Sequence, residues 1–186
     1  TLCGSPDCRP WGNNSRGWEQ TKKDHARAGQ TLTLRFWAMM CSLQVVMGRA
    51  YMIEQPRGSD MYSDSPVAQL AYKEMDLHKS VTDQCVHGAT ISNEPIKKAT
   101  ELWSNKDIVS LSPNLTKRCD GTHKHLQLRG NNARGSLTQQ AAHFPQGLCD
   151  SIVTFADNVA HDAPNEGRHS ALKSDFWDKM RDEDAK

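Results

Sequence analysis

Residues 24–56 read DHARAGQTLTLRFWAMMCSLQVVMGRAYMIEQP, and a change of period inside this stretch decides the fold class. Leu32, Phe36, Met39, Met40, Leu43, Val46 and Met47 recur at steps of three and four, the spacing of a helical face. Gly48 then supplies the left-handed stop on which helices end. Ala50 to Ile53 is a short unbroken apolar run, the pattern of a buried strand, and it closes on Glu54 and Gln55 before Pro56. A loop, a long helix and a strand with a polar end therefore follow one another.

The same alternation continues downstream. Ser65 and Pro66 are an N-cap followed by a proline in the first turn, with Val67, Leu70, Ala71 and Met75 as the apolar face behind them. Val81 to Val86 and Ala99 to Ser104 read as strands joined by a polar loop holding Asn93, Glu94 and Pro95, and Leu126 to Leu128 is a shorter strand candidate. Phe144 and Pro145 open a last helix, in which Leu148, Ile152, Phe155 and Val159 form one stripe. Helices alternating with short apolar strands predict an α/β sheet with helices packed on it. Residues 1–160 are expected to form that domain. Residues 161–186 are expected to form a charged, mobile tail, since 12 of the 25 residues from Asp162 on are charged and Trp177 is its best anchor.

Composition narrows the function classes. A chain of 186 residues can bury one real core. Its 23 lysines and arginines balance 22 acids, so no bulk field draws it to nucleic acid or membrane, and any such contact must come from local clustering. Lys97, Lys98, Lys117, Arg118, Lys124 and Arg129 are the local set that can follow a phosphate backbone, the plainer alternative being a solvated face. Six widely spaced cysteines are too few for a disulfide scaffold and predict reduced thiols, hence an intracellular protein of nucleus or cytoplasm. No apolar run reaches the ~18–20 residues of a membrane span, so no membrane partner is expected. The start at Thr1 rather than Met predicts a fragment with something upstream.

The residues suited to chemistry lie on either side of the long helix. In Gly4, Ser5, Pro6, Asp7, Cys8, Arg9, Pro10 and Trp11 a cysteine sits in a loop stiffened by two prolines, directly after a strand end. Sites in open α/β sheets collect outside the carboxyl ends of strands, so Cys8 and Glu54 are predicted to share a pocket. Arg9 beside Cys8, with a helix start nearby, would favour the thiolate, and Glu54 would serve as proton donor or hydrogen-bond partner. The alternative is a structural loop thiol and a strand-end acid bonded to neighbouring amides.

Cys8 with its loop, the long helix, and then Ile53, Glu54, Gln55 and Pro56 together resemble the DNA cytosine-5 methyltransferase family. Asp83 to Gly88 with Lys97, Lys98 and Thr100 is similar to the family's later strand pair, and Gln139 to Leu148 is similar to its closing segment. The likeness implies a partial Rossmann-like methyltransferase sheet with flanking helices, truncated at the N-terminus. It also implies a nucleophilic role for Cys8 on a flipped-out cytosine, a base-holding role for Glu54, and substrate contacts from Arg9, Gln55, Lys97 and Lys98. DNA is the implied partner and S-adenosylmethionine the implied cofactor. The cofactor's glycine loop would lie upstream of Thr1, on a preceding segment or a partner chain, so the chain alone is expected not to methylate. Asp7 stands where the family has proline, Gln55 where it has asparagine, and no arginine pair follows Gly88. The chain is similar, too, to uncharacterised domains in retroelement polyproteins of microbial eukaryotes, through its glutamate and proline pair, Asp83 to Gly88, and Lys97 to Asn105. That likeness carries a second expectation, a non-catalytic nucleic-acid-binding or scaffold module of a mobile-element protein.

Cys119, His123 and His125 lie within seven residues, and in extended backbone the two histidines point the same way. Zinc would need a fourth ligand, from Cys85 or Cys149. The alternative is ordinary loop residues.

Overall fold

The computed structural model describes residues 1–12, 15–68 and 77–162. Its elements in chain order are β1 (Leu2–Gly4), α1 (Gln20–Val46), β2 (Tyr51–Pro56), α2 (Met61–Asp64), β3 (His78–Asp83), β4 (Thr90–Ile91), β5 (Glu94–Pro95), β6 (Ala99–Ser104), α3 (Ile108–Leu111), β7 (Asn131–Asn132), β8 (Gly135–Ser136), α4 (Leu137–Gln140) and α5 (Gln146–Asp162). Four strands form a mixed sheet in the order β1-β2-β6-β3. β1 and β2 are parallel, whereas β6 runs antiparallel to both β2 and β3. The chain is thus of mixed α/β class. The parallel pair is joined across α1, as parallel strands must be joined by a long crossover.

Alternation along β2 builds two cores. Tyr51 and Ile53 face Leu34, Ala38 and Cys41 of α1, together with Trp11, Met61, Tyr62, Val67 and Trp103. Met52, one step out of phase, faces Leu102, Ile108, Leu111, Leu115, Leu148 and Phe155. A strand buried on both faces favours apolar residues at every position, which is why 50–53 reads as an unbroken run, and the equally buried Glu54 and Gln55 stand out against it. Tyr62 stacks on Trp103 at 3.9 Å between ring centroids, and its hydroxyl donates to Ile53 O and Glu101 O at 3.0 and 3.1 Å. A third, smaller cluster of Ala89, Ile91, Ile96, Leu137 and Ala141 lies beneath the two short ribbons, with Leu126 and Leu128 against it.

Several expectations shift. α1 ends as predicted at Gly48, whose φ is +67°, but the face it buries is Leu34, Ala38, Cys41, Ser42 and Gln44. Leu32 is 78% and Phe36 54% exposed. A helix of 27 residues carries apolar residues on more than one face, and a sheet of four short strands covers only one of them. β2 runs on through Glu54 and Gln55 to Pro56, whose missing N–H does no harm at the strand's last position. The strand expected over Val81 to Val86 starts at His78, stops at Asp83 and passes into a single 3-10 turn, Gln84–His87, closed by Gly88 at φ +86°. Leu126 to Leu128 forms no ladder, its tie to β5 being Leu126 N–H to Pro95 O at 2.8 Å. β6 and α5 fall where the periodicity places them, with Leu148 and Phe155 fully buried. Ser65 Oγ accepts from Val67 N–H at 3.2 Å, the expected cap, while Leu70, Ala71, Met75 and nearly all of the tail, Trp177 included, lie outside the described residues. No helix is long and apolar enough to cross a membrane among the described residues.

Candidate functional site

Two groups of side chains concentrate chemistry, one at the strand ends and one beyond β3. The first follows from the register of the parallel pair. Leu2 opposes Tyr51 and Gly4 opposes Ile53, so the chain leaving β1 turns over Glu54. Ser5 Oγ donates to Glu54 Oε2 at 2.7 Å, and Gln55 Nε2 donates to Pro6 O at 2.7 Å. The loop then closes on itself, with the N–H groups of Trp11 and Gly12 donating to Cys8 O at 3.0 and 2.7 Å. Gly4 is required here, because a Cβ at that position would fall 1.8 Å from Trp37 Cη2.

Cys8 and Glu54 therefore belong to one neighbourhood, and the Glu54 charge is felt at the Cys8 thiol. Burial pushes the Cys8 thiol above its ordinary value, Lys98 pulls it down, and the Glu54 and Asp7 carboxylates push it up again. Burial likewise raises the Glu54 carboxyl, against Lys98, the Ser5 hydrogen bond and the nearby Thr100 hydroxyl. Glu54 is 4% exposed and its Oε1 has no hydrogen-bond partner. Arg9 feels the Cys8 charge but is committed chiefly to Asp7. Its guanidinium forks the Asp7 carboxylate, with Nε and Nη2 at 3.0 and 2.8 Å from Oδ2, and its side chain is 81% exposed. A helix start does not support the thiol, since α1 begins twelve residues further on. The cation that both Cys8 and Glu54 feel is Lys98, delivered by the segment between β5 and β6. Gln55, expected to touch substrate, is fully buried with its amide committed to Pro6 and Ser59. Ser5 and Thr100 complete the surroundings of Glu54, and spacing alone could not flag them because their role arises from strand pairing.

The second group is Cys85, Cys119, His123 and His125, whose donor atoms all lie within 4.8 Å of one another. Cys85 comes from the 3-10 turn after β3, and the other three from a loop without helix or strand. Cys119 Sγ stands 3.4 Å from His125 Nε2 and 3.8 Å from His123 Nε2. Tetrahedral coordination with S–metal bonds of ~2.3 Å and N–metal bonds of ~2.0–2.1 Å separates sulfur from nitrogen by about 3.5 Å, close to the spacing of Cys119 from the two histidines. Two thiols and two imidazoles, all half-buried, can hold a metal ion. Of the two candidates for the fourth ligand it is Cys85 that joins; Cys149 lies in the first turn of α5, outside the group.

Asp83 secures this loop, a role its sequence position does not announce. It is 1% exposed and accepts from Arg118 Nε and from Cys119 N–H, both at 2.9 Å. Burial would raise its carboxyl, but the Arg118 guanidinium and the Cys119 amide outweigh burial and hold it below the usual range. The basic set of the sequence is thereby divided. Arg118 is engaged by Asp83, Lys98 faces the strand ends, and Lys97 and Arg129 line a groove of about 320 Å³ with His125, Leu126, Gln127 and Leu128.

No protein-family model, no curated protein and no solved structure matches this chain. The fold and the two side-chain groups define it as a mixed α/β domain with a cysteine and histidine cluster able to hold a metal.

Proposed function

We propose that this chain is a DNA cytosine-5 methyltransferase-like domain that holds a pyrimidine base between Cys8 and Glu54, with zinc stapling its second half. One observation carries the reading. The parallel register of β1 and β2 brings the Cys8 loop over Glu54, and that buried carboxyl, held in its neutral form to higher pH than usual, keeps one oxygen without a partner. A neutral carboxyl can donate to the ring nitrogen of a base, and a thiol beside it can reach the ring carbon. The β1-α1-β2 crossover, with Cys8 in the loop after β1 and Glu54 within β2, is in keeping with a partial Rossmann-like sheet. Zinc is the metal that best suits two thiolates and two imidazoles. All six cysteines are free, which agrees with a reducing nuclear or cytoplasmic setting.

S-adenosylmethionine does not fit the residues present. No two of the chain's glycines stand two apart, so the paired-glycine turn that approaches a nucleotide is missing. Methyl transfer would need an upstream segment or a partner chain, and the chemistry assigned to this chain stops short of it. The Cys8 thiolate, with Lys98 offsetting its charge, would add to carbon 6 of cytosine while carbon 5 takes a proton from solvent. Loss of the original carbon-5 hydrogen and expulsion of the thiolate then restore the base, leaving hydrogen exchanged and nothing consumed.

That exchange is the test. DNA carrying cytosine tritiated at carbon 5 should release tritium to water in the presence of the protein and no methyl donor. Cys8→Ser should abolish release, and Glu54→Gln should slow it by roughly the 10²–10⁴-fold typical of a lost acid-base group. No release above buffer, or release indifferent to Cys8→Ser, removes the reading and leaves the non-catalytic module.

A further inference from the structure

The groove beside the metal cluster shares no lining residue with the Cys8 and Glu54 group. One wall is the segment leaving β5, with Lys97, and the other is His125 to Arg129. Burial alternates along the second wall from Leu126 to Arg129. Leu126 and Leu128 turn in onto the third core cluster, which leaves Gln127 and Arg129 exposed across from Lys97. Among the described residues neither Lys97 nor Arg129 is paired with a carboxylate, and no acid lines the groove. Residues 94–98 and 117–129 together hold six lysines and arginines against two acids, in a chain whose net charge is +1. This is a local positive field on a neutral molecule.

We propose that this groove binds the phosphodiester backbone of a nucleic acid, and that metal bound by Cys85, Cys119, His123 and His125 fixes the wall that carries Gln127 and Arg129. The proposal rests on the metal reading above and is independent of the base-holding reading. Arg129 offers the planar fork that suits phosphate oxygens, Lys97 a point charge, and Gln127 an amide donor. His125 belongs both to the metal cluster and to the groove lining, so coordination at its ring sets the start of that wall. Residues 117–129 have no helix or strand; β3 holds their start through Lys117 O, Arg118 and the Cys119 amide, and the Leu126 bond to Pro95 ties their far end.

The experiment is fluorescence anisotropy of the zinc-loaded full chain with labelled 20-mer single-stranded DNA, duplex DNA and RNA, across 50–300 mM salt. Binding should weaken with salt. Lys97→Gln with Arg129→Gln should lower affinity at 50 mM about tenfold or more and reduce the salt slope by about 1.4–1.8, the loss of two phosphate contacts on single-stranded or duplex polymer. Zinc content and circular dichroism of that variant should equal those of the parent, and Cys8→Ser should bind as the parent does. Chelation should weaken binding as much as the double variant. Binding to none of the three polymers, or binding unchanged in the double variant, overturns the proposal, as does retention of inorganic phosphate alone. Charge-dependent binding that survives complete chelation overturns the metal's part in it.

Discussion

At the scale of single residues the least ordinary group is Glu54. A carboxyl whose folded-state value is raised gives stability that is fully present below its unfolded value, and that is lost as pH rises through the folded one. Burial raises Glu54, so the parent protein should lose stability relative to Glu54→Gln as pH climbs above about 4.5. Glutamine keeps an oxygen for the Ser5 bond and carries no charge to desolvate. Each unit of displacement is worth about 1.4 kcal/mol. Thermal melts of both proteins from pH 4.5 to 8 should therefore diverge, with the variant melting higher at pH 8 by about 2–4 °C for each kcal/mol. Parallel curves would show that the carboxyl is solvated after all. Asp83 behaves in the opposite sense, being lowered by Arg118 and the Cys119 amide, so its contribution is kept at neutral pH and lost only in acid.

At the scale of elements, the contact that sets the site is α1 lying against β1. Gly4 and Trp37 meet so closely that a methyl group at position 4 would overlap the indole. Gly4→Ala must push either the helix or the loop that starts at Ser5, an overpacking that costs about 1–3 kcal/mol. Calorimetry should show the melting point falling accordingly, and Trp37→Leu in the Gly4→Ala background should recover part of the loss. An unchanged melting point in Gly4→Ala would mean that the indole swings aside freely. The opposite face of α1 bears Leu32 and Phe36 in the open, and their periodicity is as regular as that of the buried residues. Hydrophobic period identifies a helix but does not say which of two apolar stripes a narrow sheet will cover.

At the scale of the whole molecule, the chain has a well-packed sheet and a less regular second half. The sheet's two cores account for most of the large buried side chains, whereas residues 117–129 lean on a small satellite cluster and a few hydrogen bonds. Loops of this length without regular structure are uncommon in compact domains unless something else orders them. Metal supplies that order when binding and folding are coupled. Protein prepared without chelator should carry one zinc per chain. Its removal should lower the melting point by several degrees and strip hydrogen-exchange protection from the Leu126 amide, leaving the amides of β2 and β6 protected. Equal melting points with and without chelator would remove the structural role.

The sequence by itself determined the α/β class, the long helix and its stop at Gly48, β6, the last helix, and the membership of the cysteine and histidine cluster down to a choice between Cys85 and Cys149. Those features are local: apolar period, turn residues and ligand types at short spacing act within a few residues of themselves. Tertiary structure alone decided the rest. Strand pairing placed Ser5 on Glu54 and carried Lys98 into the field of Cys8. The antiparallel insertion of β6 between β2 and β3 put Thr100 beside Glu54 and let the turn after β3 hand Cys85 to a loop more than thirty residues away. Contacts of that kind depend on which surfaces the folded chain brings together, and electrostatics and coordination act through space regardless of order along the chain.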